Sequence, residues 1–331
     1  MSSKVLIFDG TNTFHRNFVV NPTSDTNGNP VGGVIGTIRS IKYMMAETKP
    51  DKVIFVWDGD GGGKRRRGII SDYKMGRKPR LNREVEEGVK DSRENFAWQA
   101  NKLKQLLNFL GVIQIEVDDI EADDTIGYLV GLLDPCAKVV VSSDRDMWQL
   151  VSDTTIVYWP TKKVFISKGT FKEYSPILPE NYVLARALAM GDNSDNIKGI
   201  KGLGEKTLLK LFPVFTERPI TLLELCDGAS MLLKLEAEGN TKLKSTEKRW
   251  YKVVLESIEL VSKNIEVMQL TTPNISAQAA GIIKNAAGLT PTFNMTGFKI
   301  ALINNNIQLT DQELFPIFQQ YKARVANASS G

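Results

Sequence analysis

Lys4-Val-Leu-Ile-Phe-Asp9, Lys52-Val-Ile-Phe-Val-Trp-Asp58 and Lys138-Val-Val-Val-Ser-Ser-Asp144 share one form: a basic residue, a β-branched apolar run and a closing aspartate. Short continuous apolar runs of this kind suit strands buried on both faces of a parallel sheet. In such sheets ligands bind outside the carboxyl ends of the strands. Three strands would therefore carry Asp9, Asp58 and Asp144 to one edge. Gathered carboxylates repel one another, and a hard divalent cation relieves the repulsion. The first expectation is an acid-lined metal site on an α/β sheet.

The pattern between these strands is helical. Gly33 to Glu47 places Val34, Ile38, Ile41 and Met45 on one face, and Glu84 to Leu110 reads as a longer helix with Gly111 as its C-cap. Residues 59–83 are glycine-rich, then basic, and are expected to be mobile when nothing is bound. Val112 to Val117 reads as a short strand and Glu121 to Leu133 as a helix that Pro135 ends. Met147 to Val151 begins another helix, and residues 155–158 and 163–167 form a hairpin. Alternating strand and helix predict a doubly wound α/β domain over 1–178. After Pro179 helices and glycine turns take over, so 179–331 is a mainly helical region.

Composition narrows the chemistry. The chain has 331 residues, 42% of them hydrophobic, enough for a sizeable core. No apolar run nears the ~18 residues of a membrane span, and the N-terminus reads as a strand rather than a signal peptide. Two distant cysteines, Cys136 and Cys226, give no zinc spacing and fit a reduced, cytoplasmic setting. One histidine, His15, makes His-based metal sites and Ser-His-Asp triads poor explanations. The net charge is only +4, but it is unevenly spread. Nine basic residues lie between Lys64 and Arg83 against one acid, Asp72, whereas acids gather at 116–124. A basic stripe beside an acidic knot suits a polyanion together with a cation.

Glu121, Asp123 and Asp124 fall in one turn if a helix starts near Ile120. Acids also favour first turns because of the helix dipole, so this group alone leaves a structural explanation open. Asp144 and Asp146 add to it from the third strand. A further pair stands in Asp192-Asn-Ser-Asp195, directly before Gly199-Ile-Lys-Gly202-Leu-Gly204. Glycine turns opening a helix let backbone N–H groups approach phosphate closely. Lys198, Lys201 and Lys206 fill this one with positive charge.

Taken in order, these motifs resemble the 5′ nuclease superfamily: flap endonucleases, phage 5′–3′ exonucleases of the ribonuclease H type, and the 5′-nuclease domain of bacterial DNA polymerase I. The residues that carry the resemblance are Phe8-Asp9-Gly10, Trp57-Asp58-Gly59, Tyr73-Lys74-Met-Gly-Arg77, Glu121-Ala-Asp123-Asp124, Ser143-Asp144-Arg-Asp146, Gly191-Asp192-Asn-Ser-Asp195-Asn and Gly199-Ile-Lys-Gly202-Leu-Gly204-Glu205-Lys206-Thr207. They span about residues 4–212. The last ~90 residues carry no matching motif.

The resemblance implies a parallel-sheet, PIN-like nuclease domain with a helical arch at about 62–100 and a helix-three-turn-helix at about 180–212. It implies two or more Mg2+ or Mn2+ ions. Asp9, Asp58, Glu121, Asp123 and Asp144 would form one cluster, Asp146, Asp192 and Asp195 a second, with Asp124 near their boundary. It gives Lys74 the scissile phosphate and Arg77 a steadying role on the same helical face. Lys198, Gly199, Lys201, Gly202, Gly204, Lys206 and Thr207 would grip duplex backbone, with a K+ ion on main-chain carbonyls as a further option. His15 is read as packing or phosphate contact, Trp57 and Trp148 as core, and Tyr73 or Phe14 as candidates to stack on a base. The expected substrate is DNA with a 5′ flap, nick or duplex end, with RNA primers on DNA as an extension. A single-strand-binding or clamp protein is a candidate partner, a monomer the expected state, and the host cytosol the setting for a phage-encoded chain. The rival readings are an acid-sheet ribonuclease and a DNA-binding relative without catalysis.

Overall fold

The structure, a computed structural model, describes residues 3–76, 92–290 and 292–310. A six-stranded sheet runs β3(Ile113–Glu116), β2(Lys52–Trp57), β1(Lys4–Asp9), β4(Ala137–Val141), β5(Thr155–Trp159), β6(Val164–Ile166). The first five are parallel, and β6 closes an antiparallel hairpin on β5. The order reverses between β1 and β4, so the crevice at a topological switch point opens beside Asp9.

Alternation along the strands divides the core. Leu6, Phe8, Val53, Phe55, Trp57, Val139 and Val141 face one layer, whereas Val5, Ile7, Ile54, Val56 and Val140 face the other. Helices α1(Gly10–Val20), α2(Gly32–Thr48) and α4(Ser92–Phe109) cover the first face. On the second lie α5(Ala122–Leu132) and a 3-10 turn over Arg145–Leu150, where a longer helix was expected. Gly111, at φ +63°, follows α4 in the left-handed region that a C-cap glycine supplies.

The described part of the basic run, Lys64 to Lys74, is folded. Lys64–Ile69 form a short helix, α3, and residues 71–76 are turns. The rest of the expected arch, 77–91, lies outside the described residues, and Arg77 with it.

Beyond Pro179 the described chain is helical. A 3-10 turn at Pro179–Asn181, α6(Tyr182–Ala185) and a π turn over Arg186–Met190 make one continuous element. There follow α7(Glu205–Leu211), α8(Leu222–Ala237), α9(Ser245–Glu256) and α10(Ile258–Met268), sharing a core of their own around Leu188, Phe215 and Tyr251. The last helices return to the sheet. Ile283 of α11(Ala277–Ala287) packs in the layer with Ile126 of α5, and Phe298 of α12(Met295–Asn304) joins the opposite layer. Among the described residues no helix is long and apolar enough to cross a membrane.

Candidate active site

Each sheet-edge acid is set by local hydrogen bonds. Asp9 ends β1 and caps α1: its Oδ1 accepts from the Asn12 amide at 3.1 Å. Ser142 Oγ, just past β4, donates to Asp9 Oδ2 at 2.7 Å, which ties the two switch-point strands together. Asp58 follows β2, and its Oδ1 accepts from the Ala122 amide at 2.8 Å, at the start of α5. That approach needs Gly59, where a Cβ would lie 1.7 Å from the Val117 carbonyl oxygen. Glu121 therefore stands beside Asp58, with Asp123 and Asp124 in the first turn of α5. Asp144 Oδ1 accepts from the Asp146 amide at 2.8 Å.

These acids feel one another. Burial, then Asp123 and Asp58, push Asp9 well above the usual carboxylate range. Burial and Asp123 push Asp144 up to about 6. Asp146 is raised well above its ordinary value by burial, then Asp144. One field thus links the ends of β1, β2 and β4 with α5.

Three protein cations are folded into that field. Arg66 of α3 is 2% exposed. Its guanidinium donates to Glu121, to Asp124 at 3.0 Å and to the Val267 carbonyl at 2.9 Å, and lies 3.8 Å from Asp123. Burial opposes its charge, but Asp124, Tyr73, Asp123 and Asp146 outweigh burial and raise its pKa. Arg186, in the π turn, donates to Asp146 and to Asp192 at 2.7 Å. Lys74 joins the two groups. Its Nζ donates to Glu121 at 2.6 Å and lies 4.0 Å from Asp195. The Asp195 carbonyl accepts the Lys74 amide at 3.1 Å.

Lys74 is not helical, contrary to the helical turn that the Tyr-Lys-x-x-Arg spacing predicts. It sits at φ +54° in a turn, held where Asn196 Nδ2 donates to the Asp72 and Met75 carbonyls at 2.9 and 3.0 Å. Tyr73 and Phe14 are both buried, which removes them as base-stacking residues. The Tyr73 hydroxyl instead donates to Glu121 at 2.8 Å. His15 is exposed and tilts against Phe96, and Trp57 and Trp148 lie in the core.

The second acid pair opens the glycine turn. Gly191, at φ +59°, lets the chain reverse where a Cβ would meet the Ile197 carbonyl oxygen at 2.3 Å. Asp192 and Ile197 then exchange backbone hydrogen bonds at 2.8 Å. Asn264 of α10 clamps both sides of the motif, donating to the Ala187 and Lys198 carbonyls at 3.0 and 2.9 Å. Lys198, Lys201, Gly202, Gly204 and Lys206 are exposed, whereas Gly199 and Thr207 are half-buried.

The structure thus gathers Asp9, Asp58, Glu121, Asp123, Asp124, Asp144, Asp146, Asp192, Asp195 and Lys74, and sets the glycine-turn lysines apart on the surface. Among the described residues no three acids already face one another as a ligand set. Glu121, Asp124, Asp146 and Asp192 turn oxygens to Arg66, Lys74 and Arg186, whereas Asp9, Asp58 and Asp144 accept from Ser142 and backbone amides. Sequence reasoning missed both arginines, although each leaves a signal. Arg66 shares helical spacing with Ile69, Ile70 and Tyr73, and Arg186 is the lone charge in Val183-Leu-Ala-Arg-Ala-Leu-Ala-Met190. A charge on an apolar stripe is buried, and a buried charge needs partners.

Residues 4–175 match the family described as 5′-3′ exonuclease, N-terminal resolvase-like domain. The 5′-3′ exonuclease of Bacillus subtilis is 31% identical over 249 residues, covering 70% of this chain and 76% of that protein. The thermostable DNA polymerase I of Thermus thermophilus is 33% identical over 211 residues, 63% of this chain. This chain matches only 24% of that polymerase's length. Among solved structures, T5 5′-exonuclease with bound divalent metal ions (zinc) aligns at TM-score 0.62 and 19% identity, over 91% of this chain and 97% of that one. Human GEN1 in complex with Holliday junction DNA aligns at TM-score 0.54 and 14% identity, over 97% and 73%. At these identities the structural likeness shows the fold.

Proposed function

The chain belongs to the 5′–3′ exonuclease family, and from that premise we propose that it is a divalent-metal-dependent 5′–3′ exonuclease and flap endonuclease acting on DNA in replication or repair. The observation that carries the reading is the acid edge at the switch point, with Lys74 reaching between Glu121 and Asp195.

The donor set fits a hard cation. Its ligands are all carboxylate oxygens, and burial with mutual repulsion holds Asp9, Asp144 and Asp146 above their ordinary values. Asp9, Asp58, Glu121, Asp123 and Asp144 would hold one Mg2+ or Mn2+ ion. Asp146, Asp192 and Asp195 would hold a second, with Asp124 between the groups. Such ions activate water and neutralise the leaving oxygen. Lys74 places its ammonium where phosphate charge builds up, and Arg66 and Arg186 keep the acids in register. Arg77 would steady the scissile phosphate or the 5′-phosphate. In this reading Lys198, Lys201, Lys206, Thr207 and the Gly199, Gly202 and Gly204 backbone hold duplex phosphates, with K+ as a candidate ion on the carbonyls. Phosphate contacts position a duplex without reading its sequence. The nuclease unit would span 1–178 and the duplex-gripping region 179–331. RNA primers on DNA and docking of a single-strand-binding or clamp protein belong to the same proposal, as does action as a monomer in the cytosol.

The test is release of 5′-labelled product from flap, nicked, blunt and RNA-primed duplexes in magnesium, with chelator as control. Products with a 5′-phosphate and a 3′-hydroxyl are expected. Preference for unpaired RNA would favour the ribonuclease reading, and binding without cleavage a non-catalytic relative.

A further inference from the structure

Helix α9 carries charge that the acid edge and the glycine turn do not use. From Lys242 to Lys252 there are five basic residues, Lys242, Lys244, Lys248, Arg249 and Lys252, and one acid, Glu247. Two of these charges are occupied locally. Lys248 pairs with Glu236 at 2.7 Å, and Glu247 accepts the Lys244 amide at 3.0 Å. Arg249 and Lys252 are exposed, and among the described residues neither forms an ion pair. Three positions apart, they share a face of the helix.

The opposite side of α9 fixes where that face points. Tyr251 and Val254 are buried in the helical core. The Tyr251 ring meets Phe212 edge-on at 5.5 Å, and its hydroxyl donates to the Leu211 carbonyl at 3.4 Å, at the end of α7. Trp250 backs the glycine turn: a Cβ on Gly202 would lie 3.6 Å from its Cη2. The Arg249 guanidinium lies over the same Trp250 ring, 5.4 Å from its centroid. One tryptophan thus supports the turn and holds an arginine beside it. An ordinary solvated helix face explains exposed lysines, but not an arginine held against the residue that backs the turn.

We propose that α9 is a second duplex-DNA contact, in which Arg249 and Lys252 hold backbone phosphates beyond those held by the glycine turn. The inference rests on reading that turn as a duplex grip. Through the Trp250 ring, the positive charge of Arg249 stands beside the turn that carries Lys201, and phosphate contacts of this kind carry no sequence preference.

The test is equilibrium binding of the full chain to a flap substrate in calcium across a salt series. Arg249→Ala with Lys252→Ala should flatten the log–log salt slope by about 1.8, from ~0.9 for each phosphate released. The charge-preserving pair Arg249→Lys with Lys252→Arg should restore most of it. Shortening the duplex arm should flatten the parent's slope but leave that of the alanine pair unchanged. If the alanine pair keeps the parental slope while Lys201→Ala with Lys206→Ala flattens it, α9 is no contact and the turn reading stands. If the turn variant is silent and the α9 variant is not, the turn reading fails and α9 remains the contact. Equal loss on single-stranded DNA would overturn the duplex assignment.

Discussion

The acid edge and the glycine turn are both dense in charge, but water treats them oppositely. At the edge, Asp9, Glu121, Asp124, Asp146 and Asp195 are buried, with Arg66 and Arg186 buried among them, and of the nine gathered acids Asp58 alone is exposed. At the turn, Lys198, Lys201 and Lys206 project into solvent. Charges in a dry site interact strongly and are costly to leave unbalanced, whereas exposed ones are screened by salt. The edge is therefore suited to a reaction in which charge moves over a few ångströms. The turn is suited to long-range attraction that fixes position alone. Altering the edge should disturb catalysis or folding, and altering the turn should disturb only salt-dependent binding.

The sharpest break would come at Asp144. Its side-chain oxygen accepts the Asp146 amide, and asparagine retains an oxygen for that bond. Burial and Asp123 already push the carboxyl up to about 6, so losing the charge relieves repulsion. Asp144→Asn should therefore fold at least as well as the parent. Its cleavage in magnesium should fall by more than the roughly 10³-fold that loss of one charge-stabilising donor can cost. Near-parental turnover would remove Asp144 from the proposed metal site.

Arg66 tests the other half of the edge, its internal balance. Arg66→Ala leaves Glu121 and Asp124 without their buried partner, and breaking such a pair costs about 3–5 kcal/mol. Chemical denaturation with and without magnesium measures both parts of the effect. An ion held at 100 times its dissociation constant adds about 2.7 kcal/mol. If the acids do take the ion, magnesium should recover more stability in the variant than in the parent. Unchanged stability without metal would show that the arginine is a bystander.

How much of this was visible in the chain follows the same division. The three apolar runs ending in aspartate predicted the sheet edge, because alternation and burial act within six residues. The exposed glycine turn was equally legible, since Gly199, Gly202 and Gly204 mark it locally. The partners that balance the edge were not. Arg66 sits in a run of four basic residues that reads as a solvated arch until α3 turns it inward. Arg186 reaches Asp146 from 40 residues away. Lys74 was expected on a helix, and only the contact of Asn196 with the Asp72–Met75 turn shows why it takes a left-handed conformation. The return of α11 and α12 to the sheet depends on pairings across more than 150 residues, which no local pattern carries. Leu110 bridging to Phe293 is one of them.

Lys74 stands between the two regimes, half-buried and touching both acid groups. Lys74→Ala should lower single-turnover cleavage by roughly 10²–10³, the range for one preorganised charge-stabilising group. Binding in calcium should hardly change, because contacts that strengthen only in the transition state raise turnover rather than affinity. A parallel drop in both assays would make it a grip residue of the same kind as those in the turn.

The smallest effects belong to the turn itself, and their smallness is the point. Lys201 and Lys206 are exposed, so truncating either should leave folding stability within about 0.5 kcal/mol of the parent. Each phosphate that the turn no longer holds should flatten the log–log salt slope of duplex binding by ~0.9. At low salt the single variants should bind more weakly than the parent, and the difference should shrink as salt rises and counterions take over the screening. Cleavage at saturating enzyme should be unchanged, because neither lysine approaches the acid edge through any hydrogen bond or ion pair among the described residues. Lys201→Ala or Lys206→Ala slowing cleavage under saturation, with the salt slope intact, would mean that the turn acts on the edge rather than on the duplex. The division between a dry catalytic edge and a wet binding surface would then have to be redrawn through Asn264, whose amide joins the Lys198 carbonyl of the turn to the Ala187 carbonyl beside Arg186.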